Sequence, residues 1–281
     1  MALTRARRHR RNRRLLRTGY YLLCGLTFFF LMLPLLIVFP ISFSSSAYLQ
    51  FPPPGFSMQW YRGYFADPAW IDATLRSLYV GVATMALATL LGTLASFSIV
   101  RGAYRGRALF TQLASAPLIV PTIVFSVAVY GLFSDLRLIG HWYGIVLAHT
   151  IHAIPFVVMI VVAALRTFDP AQEQAAMGLG ASRLTAIRLV TLPQIRPAIV
   201  SAAFIAFISS FDELVIAMFL GGTNVTLPKK MFDNILYEID PTIAAVSVLQ
   251  IVLVSIALFF ATRFGAGTLP TTTTPASRSP A

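Results

Sequence analysis

The stretch Asp169–Pro197, DPAQEQAAMGLGASRLTAIRLVTLPQIRP, decides how this chain is to be read. It is polar, punctuated by Gly and Pro, and wedged between two long apolar runs. Asp169 suits a helix N-cap and Pro170 the first helical position, where the missing N–H costs nothing. Glu173 then falls in the first turn, where a carboxylate favours the helix dipole. Gly178 and Gly180 break this helix. A second short amphipathic helix carries Ile187, Val190 and Leu192, and Pro193 is expected to stop it. Such a segment is too polar for lipid and too regular for a linker, so it reads as a helical docking element.

Outward from this loop the composition excludes an ordinary soluble domain. Hydrophobic residues make up 57% of the 281 and charged residues only 11%, with a mean hydropathy of +0.75; a soluble domain carries about 25% charged residues. Six apolar runs have membrane-spanning length, at 19–43, 75–99, 109–133, 142–165, 197–220 and 242–264. Segments crossing lipid must satisfy every backbone group internally, so these are read as helices. The expected fold is therefore all-α and integral to the membrane: a basic tail (1–18), a six-helix domain (19–264) containing the loop 169–197, and a disordered Thr/Pro/Ser-rich tail (265–281).

The net charge of +12 is mostly local. Eight arginines lie within residues 1–17, and removing them from the 22 Lys and Arg leaves 14 basic against 10 acidic residues. A basic run immediately before a span reads as a cytoplasmic anchor rather than a nucleic-acid site. Arg101, Arg105 and Arg107 follow the second span, and Arg166, Arg183, Arg188 and Arg196 flank or occupy the polar loop. The alternate loops hold Asp67, Asp72, Asp135, Asp233, Glu238 and Asp240. Both termini and the 169–197 loop are thus expected in the cytosol. Between the first two spans, Pro52-Pro53-Pro54-Gly55 followed by Trp60, Tyr61, Tyr64, Phe65 and Trp70 suggests a short interfacial helix.

Asp212 and Glu213 stand adjacent inside the fifth apolar run, where a charge costs at least a few kcal/mol. They are candidates for a cation pathway, with Phe207 and Phe211 as an aromatic wall beside them; Phe204, Phe207 and Phe211 also have the 3–4 spacing of ordinary helix packing. His149 and His152 share a helical face without a third ligand, which points to polar packing rather than metal. Cys24 is the only cysteine and can form no internal disulfide. Pro117, Pro121 and Pro155 should kink their spans. There is no Gly-rich phosphate loop and no Ser-His-Asp pattern, so no catalytic or metal site is assigned.

The order Gln174-Ala175-Ala176, three residues, Gly180, nine residues, Val190, one residue, Leu192-Pro193 resembles the EAA loop of ABC-importer permease subunits. Gln174 departs from the usual Glu and Val190 from the usual Ile, while Glu173 stands one position earlier. The runs SSFDELVIAMFLGG (209–222) and LPKKMFDNILYEIDPTIAAVSVL (227–249) resemble spermidine/putrescine-type permeases. The resemblance implies a bacterial inner-membrane subunit that binds no cofactor itself. ATP and Mg would be used by a partner, and the docking contacts would come from Glu173, Gln174, Ala175, Ala176, Gly180, Ala181, Ser182, Leu192 and Pro193. It further implies a second permease subunit, two ATPase subunits and an extracytoplasmic substrate-binding protein, with lipid around the helices and no nucleic acid. Alternatives are the same machine carrying another amine, an opine-like compound or a metal ion, and a proton-coupled secondary transporter titrating Asp212 or Glu213.

Overall fold

The computed structural model describes residues 2–237 and 240–265, with side chains over 16–237 and 240–263. The side chains of the arginines at 5–14, Glu238 and the tail expected to be disordered lie outside the described residues. Two compact units are present, Met1–Asp67 with Asn234–Gln250, and Pro68–Asp233 with Ile251–Ala281.

In the first unit, α1 (Ala2–Ser42) runs for 41 residues, and its apolar window has no residue buried within the chain. An uncharged stretch of spanning length, apolar on every face, is the pattern of a membrane-spanning helix. The helix ends on a polar knot. Ser42 Oγ lies 2.8 Å from Tyr61 Oη, Trp60 Nε1 donates to Ser44 O at 2.8 Å, and Ser45 N donates to Gly55 O at 3.0 Å. Tyr61 and Trp60 belong to α2 (Gln59–Ala66), so the short aromatic helix expected from the sequence exists and is stitched to the end of α1.

The second unit is built on α3 (Pro68–Arg101), which packs with α6 (Trp142–Thr167) and α9 (Leu192–Phe211). One face of α3 is a row of small buried residues, Ser77, Gly81, Thr84, Ala88, Gly92 and Ser96. Helices in lipid gain little from hydrophobic exclusion and associate by close van der Waals approach, which small residues permit. A Cβ placed on Gly92 would lie 2.7 Å from Val157 Cβ on α6, closer than two carbons can come. Ala88, Ala153, Val157, Ala202 and Ala206 form the core there.

The region expected as a straight third span, 109–133, is instead a bent pair. α4 (Arg107–Ser115) leads through a tight turn at Ala116–Leu118 into α5 (Thr122–Asp135), at 107°. Pro117 and Pro121 each remove a backbone donor and disfavour helix in the residue before them, and together they break the rod rather than kink it. Among the described residues five helices have spanning length, or six if this pair counts as one.

The fifth span also differs. Pro193 does not stop the helix before it: α8 (Arg183–Ala186) passes through a wide turn, Ile187–Thr191, directly into α9. Widening the turn to i→i+5 hydrogen bonding relieves the clash between the proline ring and the preceding turn, so the apolar rod runs unbroken from Arg183 to Phe211. It then ends at Phe211, nine residues before the expected limit, and α10 (Val215–Leu220) starts afresh. Asp212 and Glu213 therefore lie at a helix break and not inside a helix. Two adjacent carboxylates at the negative end of α9 oppose its dipole, while the same groups favour the positive start of α10. The unit closes through Asn224, which accepts from Arg76 and donates to Gly140 O, and through Gly140 N donating to Leu220 O at 2.9 Å. α11 (Leu227–Tyr237) begins where Leu227 N donates to Ser77 Oγ at 2.8 Å, with Lys230 over the Trp70 ring. The last helix is α12 (Thr242–Gly265).

Candidate functional site

The polar loop folds as its residues dictate. Asp169 is in extended conformation and its carboxylate accepts from Ala171 N at 2.9 Å, capping α7 (Pro170–Gly178) with Pro170 in the first turn. The helix closes by two nested bonds, Ala181 N to Ala176 O at 3.1 Å and Gly180 N to Met177 O at 3.0 Å. This closure requires a left-handed residue, and Gly180 supplies it at φ +96°. Nothing in the chain lies within 4 Å of where its Cβ would be, so within the chain the position needs glycine for its backbone conformation. Ser182 then caps α8, accepting from Thr185 N at 3.2 Å.

The side chains divide into two sets. Gln174, Ala175, Gly180, Ser182 and Pro193 are exposed, and Ala176, Ala181 and Leu192 are half-buried. Glu173 is turned away from that surface. It is 5% exposed and paired with Arg101 at the end of α3, so its carboxylate answers a partner within the chain rather than one outside it. Sequence reasoning missed the apolar residues that flank the turn. Leu179 is 91% exposed, Leu184 57% and Met177 41%, and Leu189 further along the loop is 72% exposed. The available signal was their apolar character beside the Gly178 and Gly180 breaks, where no core could cover them. Large apolar side chains raised on a rigid, capped turn make a contact surface.

Away from this loop, the proposed pathway residues separate. Phe207 and Phe211 stack at 5.6 Å with both rings buried, so they act as packing and not as an open aromatic wall. Glu213 Oε1 accepts from Ile216 N at 2.9 Å and thereby caps α10. Asp212 is exposed at the break. His149 Nδ1 lies 2.7 Å from Ser210 Oγ, joining α6 to α9, while the His152 ring rests against Phe125 and Phe156. No cluster of three or more metal-ligating side chains occurs among the described residues.

Residues 88–269 match the family described as the binding-protein-dependent transport system inner membrane component. This chain is a binding-protein-dependent transport permease. It is 34% identical over 248 residues to the putrescine transport system permease protein PotI of Escherichia coli K12, covering 85% of this chain and 87% of that protein. It is 31% identical to the spermidine/putrescine transport system permease protein PotC of Haemophilus influenzae, covering 82% and 89%. The fold is that of a solved bacterial ABC transporter involved in alginate import, at a TM-score of 0.70 and 19% identity over 89% of this permease and 96% of that chain. The permease is thus a multi-pass membrane protein of the ABC-importer class that the 174–193 pattern resembles.

Proposed function

We propose that this permease is one of two membrane subunits of an ABC importer for polyamines. Its loop 169–197 seats on an ATPase subunit in the cytosol. The observation that carries the coupling role is the capped turn at 176–182, which holds Met177, Leu179 and Leu184 outward on a rigid frame. The similarity to putrescine and spermidine/putrescine permeases over more than four-fifths of the chain supports the cargo class. Two ATPase subunits, a second permease and an extracytoplasmic binding protein complete the machine. The ATPases use ATP and Mg, and their contacts with the loop differ between inward-open and outward-open states, which is the source of the driving free energy.

In this reading Asp212, at the end of α9, is the carboxylate that offsets the desolvation of a passing polycation. Glu213 serves α10 as its cap. Removing the ATPase subunits separates this machine from a proton-coupled carrier. Putrescine uptake in cells should vanish without the ATPase and persist, at constant ATP, when the proton gradient is collapsed; uptake that follows the gradient instead contradicts the proposal.

A further inference from the structure

Arg101 lies at the meeting point of three elements. It is the last residue of α3, where a cation suits the helix dipole. Its Nη1 donates to Glu173 Oε2 in α7, a residue 72 positions away, and its guanidinium lies over the Phe168 ring, 5.6 Å from the centroid, at the C-terminal end of α6. Glu173 is 5% exposed and Phe168 7%. A buried carboxylate is costly unless paired, and a bidentate-capable, stackable guanidinium holds it in a fixed orientation that lysine would not. The second amino nitrogen, Nη2, is also buried and makes no hydrogen bond.

We infer that the Arg101–Glu173 pair is the joint through which displacement of the docking loop is passed to α3 and α6, and that Arg101 is a positioning residue for coupling. This rests on the docking role of the loop. The loop's exposed surface, at Leu179 and Leu184, would make the contact with the ATPase; the pair on its inner side would transmit the contact. Motion at α7 would otherwise be taken up by the short connection at 168–169. Because α3 packs along α6 and α9, a shift at Arg101 is a shift of the main helical layer.

The test uses the assembled complex of both permeases, the ATPase subunits and the binding protein, comparing wild type with Arg101→Gln, Glu173→Gln and the double swap Arg101→Glu/Glu173→Arg. Two quantities are read: the amount of ATPase subunit retained, and the stimulation of ATP hydrolysis by loaded binding protein. The single variants should keep their ATPase and lose stimulation by about tenfold, the size of an ordinary coupling free energy. The swap, which restores opposite charges, should recover most of it. Wild-type stimulation in both single variants overturns the inference, and so does loss of the ATPase in the singles that the swap does not repair. Leu179→Asp is the separate arm. If that variant retains its ATPase, the docking reading falls and the inference with it; if it loses the ATPase while both single variants behave as wild type, the inference alone falls.

Discussion

At the scale of single residues, three positions carry more than their size suggests. Gly180 holds the one backbone conformation that closes α7, at φ +96°, with open space where a Cβ would stand. Gly180→Ala therefore meets no clash, only the cost of a left-handed L-residue, about 1 kcal/mol. The expected outcome is a small fall in the melting temperature of the complex together with weaker ATPase retention; an unchanged affinity for the ATPase would show that the turn need not be rigid. Asp212 and Glu213 make a second contrast. Adjacent in sequence, they are placed differently, with Glu213 Oε1 accepting from the Ile216 amide and Asp212 exposed at the break, and the proposed function gives them different duties. Asp212→Asn should reduce polyamine uptake at least several-fold with normal assembly. Glu213→Gln keeps an acceptor for the cap and should transport close to wild type, whereas Glu213→Ala should cost roughly 1 kcal/mol of stability. Initial uptake rates and thermal unfolding of the three variants decide between these roles, and equal loss in Asp212→Asn and Glu213→Gln would contradict the division.

At the scale of elements, the fold of the 169–197 loop was largely legible because its folding signals are local. Asp169, Pro170, Gly180 and Ser182 each act within four residues, and each does in the structure what a cap or breaker does. The less legible features depend on what lies beyond a residue's own turn. Pro193 looks like a stop until the preceding turn widens to admit it, and nothing in its neighbours' identities announces that widening. Pro117 and Pro121 were visible as kinks, but a 107° bend follows from both acting within one short connection. The inward turn of Glu173 could not be read because its partner, Arg101, is 72 residues away and looked like one more topogenic arginine. Phe207 and Phe211 were ambiguous between wall and core, since a 3–4 spacing defines a face without saying what it meets. The exposed apolar edge of the loop gives the prediction at this scale. Leu179→Asp should abolish co-purification of the ATPase subunit while leaving membrane insertion and helicity unchanged, because Leu179 at 91% exposure makes no folding contact to lose. Full retention of the ATPase by that variant would move the docking surface elsewhere.

At the scale of the whole molecule, the family and the helical architecture were legible from hydropathy, charge and the 174–193 pattern, since lipid leaves a chain few alternatives. The proposed orientation, with the loop in the cytosol, rests on the charge pattern, in which Arg101, Arg105 and Arg107 alternate along the sequence with the acidic segments. In a Cys24→Ser background, cysteine at Ser45 or Thr223, both exposed, should react in intact cells with an impermeant thiol reagent, and cysteine at Ser182 should not. Asn224, although in the same segment as Thr223, is unsuitable because it bridges Arg76 and Gly140. The reverse labelling pattern would invert the molecule and remove the loop from any cytosolic ATPase. The central claim is that this permease admits a polycation under the drive of ATP hydrolysed by a partner. Proteoliposomes containing it with its second permease and ATPase subunits, supplied with the binding protein and labelled putrescine, measure that claim directly. Accumulation that requires both internal ATP and the binding protein, and that excess unlabelled spermidine suppresses, is the result expected; putrescine that stays outside while ATP is hydrolysed and another solute enters would contradict it.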